Sequence, residues 1–126
     1  EQCRATGSLL HRAERERLGF DHAEVGSALL KRWKIPPRVA EPVGTHHDSS
    51  KGDQYPREGA ILHFADLIAH ALQIGNSGEI FVPELDQGVW DRLQISSFYL
   101  PTLVKQVDAT YEQTVAALFR GNDAAR

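Results

Sequence analysis

The double proline Pro36-Pro37 is the tightest local constraint on how this chain can fold. Proline disfavours helical backbone in the residue before it, yet suits the first turn of a new helix. One helix must therefore end near Ile35 and another begin at Pro37. The earlier one starts at Asp21, a good N-cap residue, with Glu24 three positions on completing a capping-box-like pair. Val25, Leu29 and Trp33 recur along it at four-residue spacing, the pattern of an apolar stripe. Gly26 costs such a helix roughly 1 kcal/mol relative to alanine, which implies a packing reason, such as a neighbouring backbone coming close. The later helix runs from Pro37 towards His47, presenting Val39, Ala40 and Val43. Pro42 lies inside it, so it must be short or kinked. Splitting the stretch this way lets polar groups at the outer helix ends gather at one point: His22 at one end, His46, His47 and Asp48 at the other.

Helical periodicity governs the rest of the chain as well. Residues from Thr6 to Leu18 read as a helix with Leu9, Leu10, Ala13 and Leu18 on one side, and Gly19 stops it. Asp48 to Glu58 is polar, with Gly, Ser and Pro, and reads as a loop. From Gly59 to Ile74 the run AILHFADLIAHALQI is apolar nearly all round, which predicts a central, buried helix. Ile80-Phe81-Val82 is a short apolar run that could be extended, too short alone for a sheet. Glu84 to Leu93 reads as a short helix. A last long helix, from Tyr99 to Phe119, carries Pro101 in its first turn and a stripe of Leu103, Val107, Tyr111, Val115 and Leu118. Residues 121–126 form a polar tail. The expected architecture is all-α, about six helices in one domain over residues 1–120.

Composition removes several functional classes. A net charge of −3 argues against a nucleic-acid-binding domain, whose footprint would be a basic face. The Arg12–Arg17 run (RAERER) alternates in sign and reads as a solvated helix face. One cysteine permits no intramolecular disulfide framework and no thiolate metal cluster, which fits a reducing, cytoplasmic setting. No stretch approaches the roughly 20 apolar residues of a membrane span. The chain starts at Glu1 and contains no methionine, so a piece of a longer protein is expected. There is no GxxxxGK[ST], no GxGxxG and no GxSxG.

Imidazole and carboxylate are the usual ligands of Zn, Mn and Fe where cysteine is lacking. His22, His46, His47 and Asp66 would supply such a set if their helices converge, with Asp48 orienting an imidazole from behind. A metal held this way, with an open position, lowers the pKa of bound water and provides hydroxide for attack on phosphorus. The same residues also admit a reading without metal. Histidines at a helix C-terminus are favoured by the dipole. Adjacent helical residues point about 100° apart, so His46 and His47 reach one ion only if the helix has already ended. Asp66 has His63 and His70 about one turn before and after it, so a plain His–Asp hydrogen bond would satisfy it.

The run from Leu18 to Asp48, which fits DHxxVGxxLLxxW followed by IPP and HHD, together with AILHFADLIAHAL (Ala60 to Leu72, containing HxAD), resembles the HDOD domain. That family is a branch of the HD superfamily of metal-dependent phosphohydrolases. The resemblance implies an HD-like helical bundle acting in bacterial signal transduction. It implies protein partners or fused signalling domains, such as response-regulator receivers or cyclic-di-GMP enzymes. HDOD domains are regarded as regulatory modules rather than hydrolases. The resemblance continues through the acidic helix near Glu84 into the last helix, so it covers most of the chain, and it corresponds to the later part of such a domain, without the upstream His-Asp pair of active HD enzymes. Compared with the related HD-GYP phosphodiesterases, His22, His46, His47 and Asp66 fall at metal-ligand positions, and Asp48 stands where Glu is usual. Gln54-Tyr55-Pro56 sits where those enzymes have Gly-Tyr-Pro, a departure from the cyclic-di-GMP-hydrolysing pattern. Two readings follow: a non-enzymatic regulatory module with a degenerate site, or a metal-dependent phosphohydrolase using Fe, Mn or Zn and completed by residues upstream.

Overall fold

The structure, a computed structural model, describes residues 7–48, 54–75, 78–79 and 81–120. Among them the chain is all-α. The helices are α1 (Leu10–Leu18), α2 (His22–Arg32), α3 (Pro37–Thr45), α4 (Pro56–Ala71), α5 (Gln87–Leu93) and α6 (Leu100–Arg120), with a 3-10 turn over Ser97–Tyr99. The chain divides into two compact units, Glu1–Gln94 and Ile95–Arg126. No helix is long and apolar enough to cross a membrane among the described residues.

In the first unit, α1 ends on Gly19, whose φ of 82° is the left-handed backbone that glycine adopts without strain. Asp21 caps α2, its carboxylate accepting from the Glu24 N–H at 3.0 Å. The end of α2 is a Schellman turn: the Ile35 N–H donates to the Leu30 carbonyl and the Lys34 N–H to that of Lys31. Lys34 holds φ at 60°, a place usually given to glycine. Pro36 and Pro37 then start α3.

Helices α2 and α3 make the most extensive pairing in this unit. Small residues permit it: Ala23 and Ser27 of α2 are buried, and Gly44 of α3 lies against Ser27. A Cβ at Gly44 would lie 2.9 Å from the Ser27 Cβ, so only glycine allows this approach. At Gly26 the near neighbour is the side chain of Val43, at 3.1 Å from where a Cβ would stand, not a backbone. The expected stripe Val25, Leu29 and Trp33 is not the packed face. These residues are 50%, 42% and 63% exposed, because close helix contact favours the small-residue face over the large one. Pro42 sits in a nine-residue helix, so the short alternative holds.

Helix α4 begins at Pro56, three residues before the expected start, and is buried along one face only: Gly59, Ala60, His63, Phe64 and Ile68. Ile61 is 53% exposed, so this helix is not enclosed all round. It ends on a second Schellman turn, the Ile74 N–H reaching the Ala69 carbonyl at 2.8 Å. Helix α5 is shorter than expected, starting at Gln87 behind the Asp86 cap. It buries Val89 and sets Trp90 edge-on to Phe64 of α4, with ring centroids 5.9 Å apart. Phe81 and Val82 are in no strand, and Ile80 lies outside the described residues, as do residues 49–53 of the expected loop.

In the second unit, Ser96 caps the 3-10 turn by accepting from the Phe98 N–H, and α6 follows with Pro101 in its first turn. The tail at 121–126 lies outside the described residues.

Candidate metal centre

Because α2 and α3 are joined by a tight proline turn and run back along each other, the start of α2 meets the end of α3. His22 is the first residue of α2. His46 is the C-cap of α3 and His47 lies one residue beyond, so the helical 100° offset no longer separates them. Ring centroids of His46 and His47 are 3.8 Å apart, and those of His22 and His47 are 4.7 Å apart. One nitrogen from each of His22, His46 and His47 lies within 4.8 Å of the others.

The rings of His22 and His46 are each oriented by a partner on the far side. The Nδ1–H of His46 donates to the Val43 carbonyl at 2.7 Å, which leaves Nε2 as the lone-pair nitrogen. His22 Nδ1 lies 2.6 Å from the Glu14 carboxylate, and its Nε2 meets His47 Nε2 at 2.8 Å. His63, buried on α4, donates from Nδ1 to the His46 carbonyl at 2.7 Å and so ties the central helix to the site. Its Nε2 is buried without a hydrogen-bond partner among the described residues.

The electrostatics favour a neutral ring at His47 and at His11. Burial, reinforced by His46, His11 and His22, pushes His47 down to about 3, against a small opposing pull from Asp21. His11, on α1, stacks on His47 with centroids 4.2 Å apart and planes 12° from parallel. Burial and the neighbouring Arg12 lower its pKa too. A neutral imidazole with its lone pair free is the form that ligates a metal. Two nitrogens on one tetrahedral zinc lie about 3.3 Å apart, given metal–nitrogen bonds of roughly 2.0–2.1 Å. The His22 and His47 nitrogens, 2.8 Å apart, would open by about half an ångström around such an ion, and the three donors together lie within 4.8 Å of one another. His11 lies parallel to His47 and supports it rather than sharing its in-plane ligand position.

Asp66 is placed elsewhere. The donor grouping holds His22, His46 and His47 and no carboxylate among the described residues. His70, one turn on, donates from Nδ1 to the Asp66 main-chain carbonyl at 2.8 Å and lies 3.3 Å from its carboxylate Oδ1, and Asp66 borders a cavity of about 450 Å³ with His70, Gln73 and Glu79. The plain His–Asp contact weighed from the sequence is thus present with His70, whereas His63 serves His46 instead. Asp48 also stands outside the grouping. It borders a smaller cavity of about 280 Å³ with His11, Arg15, Asp21 and His47.

Helix α1 supplies residues that the sequence reading set aside as a solvated face. Glu14 holds His22, while Arg15 donates to Asp21 at 2.7 Å and to Glu24 at 2.8 Å. Asp21 is buried, which raises its pKa, but the Glu24 N–H and the Arg15 guanidinium outweigh this and hold the carboxyl below its usual range. The 11, 14, 15 spacing on one helical face was the available signal.

Residues 1–49 match the family model described as the HDOD domain. The matched stretch contains His22, His46 and His47 and stops short of Asp66. No curated protein and no solved structure matches the chain. The resemblance to HDOD is thus borne out over those residues.

Proposed function

We propose that this chain is a regulatory module of bacterial signal transduction, with a three-histidine metal centre that organises the helices instead of hydrolysing a phosphodiester. The observation that carries this reading is the placement of Asp66. The carboxylate that the HD-type pattern would add to the histidines is engaged with His70, outside the donor group. Three neutral imidazoles can hold a divalent ion, and an ion joining the start of α2 to the end of α3 would stiffen that pair. In this reading the helical scaffold passes an input, such as the state of a fused receiver domain, to a protein partner or cyclic-di-GMP enzyme in the cytoplasm.

The test pairs elemental analysis with an activity screen. Protein purified without chelator or histidine tag should carry near-stoichiometric Fe, Mn or Zn, and His46→Ala should lose it. The same protein should not turn over bis(p-nitrophenyl) phosphate above the His46→Ala background with any of these metals. Turnover well above that background would overturn the module reading.

A phosphohydrolase is the second reading, and one observation favours it. All three imidazoles present nitrogens to one point, with the far sides of His22 and His46 anchored, the arrangement that leaves a position open for metal-bound water. It requires further ligands from outside the described residues, and metal-dependent turnover lost in His22→Ala would establish it.

A further inference from the structure

We propose that Glu14 is the positioning residue of the histidine cluster: its carboxylate fixes His22 in the Nδ1–H tautomer and turns the Nε2 lone pair towards His46 and His47. The inference rests on the metal reading above for its consequence, but not for its geometry. Glu14 Oε2 lies 2.6 Å from His22 Nδ1 and also accepts the His22 backbone N–H at 3.0 Å. A carboxylate gripping both groups fixes the ring's rotation as well as its protonation. An ionised carboxylate only accepts, so Nδ1 carries the proton, and in the neutral ring Nε2 is then bare. That nitrogen lies 2.8 Å from His47 Nε2, which in the metal-free chain donates its proton to it.

The rest of the α1 face acts in the same sense. His11 covers one side of His47, and Arg15 ties α1 to Asp21, directly before His22. Helix α1 therefore holds rings whose ligating atoms belong to α2 and to the end of α3. A carboxylate behind a ligating histidine raises the basicity of the far nitrogen and fixes its direction. Glu14 could instead serve only as a cap for the α2 N-terminus, since it accepts a backbone N–H there. A cap would leave the tautomer unaffected, and this separates the two roles.

The experiment uses the whole chain, 15N-labelled, in its metal-free form. Long-range proton–nitrogen correlation spectra report the tautomer of His22 in wild type, Glu14→Gln and Glu14→Ala. Wild type should show the Nδ1–H form. Glu14→Gln, whose amide oxygen still accepts, should keep it, and Glu14→Ala should move His22 towards Nε2–H. Titration with Co2+, followed by its visible absorption, should show affinity falling roughly 10–100-fold in Glu14→Ala and less in Glu14→Gln. An Nε2–H form in wild type, or an unchanged tautomer in Glu14→Ala, would overturn the proposal. Should Glu14→Ala fail to fold, loss of the Nδ1–H form in folded Glu14→Gln would overturn it and retention would support it. If wild type takes up no Co2+, the metal reading fails, while the tautomer spectra still decide what Glu14 does.

Discussion

At the scale of single residues, Asp21 carries more of the structure than its position beside the site suggests. It is 2% exposed, caps α2 through the Glu24 N–H and receives Arg15 from α1. Asp21→Ala removes the cap and leaves Arg15 without this partner, so we expect a loss of about 2 kcal/mol in urea unfolding. The acid limb of stability should depend on the same group. Its folded pKa lies below the ordinary 3.8, so the folded state holds fewer protons than the unfolded one just below that value. The contribution is therefore complete above pH 3.8 and is lost as pH falls through the lower folded value. Asp21→Asn should flatten the fall in stability below pH 3.8, and an unchanged acid limb would contradict this assignment. Asp21 as a cap was legible from its Glu24 partner. Its second partner, Arg15, was not, because an ion pair across a turn leaves no periodic trace.

At the scale of elements, the α2–α3 hairpin sets the site, and its glycines are unequal. A methyl at Gly44 would stand 2.9 Å from the Ser27 Cβ, an atom that cannot rotate away, and 3.0 Å from its Oγ. Gly44→Ala should force the helices apart, cost about 1–3 kcal/mol and weaken Co2+ binding by displacing His46 and His47 from His22. Gly26 faces only the Val43 methyl at 3.1 Å, and alanine gains about 1 kcal/mol of helix propensity there. Gly26→Ala should stay within about 1 kcal/mol of wild type. Paired thermal melts of the two variants check both expectations, and equal effects would refute this account of the packing. The sequence pattern located both helices but chose the wrong face of α2. Periodicity marks where large apolar residues recur, while helix–helix approach here selects small ones.

At the scale of the whole chain, the packing that supports the histidines lies within the Glu1–Gln94 unit: α1 with α2, α2 with α3, α3 with α4 and α4 with α5. A fragment ending at Gln94 should therefore bind Co2+ with the stoichiometry of the full chain, as titration would show. Unequal stoichiometry would mean that residues 95–126 contribute to the site. The all-α class, the turn at Pro36-Pro37, the Asp21 cap and the candidacy of His22, His46 and His47 were determined by the sequence alone. Each follows from local chemistry: a missing amide hydrogen, a capping oxygen, a helical period or a ligand type. Tertiary structure alone decided that Asp66 stays outside the histidine grouping, that His63 holds the His46 carbonyl, and that Glu14 and His11 flank the cluster. Those outcomes depend on which helix faces meet and how closely, and that is set by the volumes of Ser27 and Gly44 packed together in space.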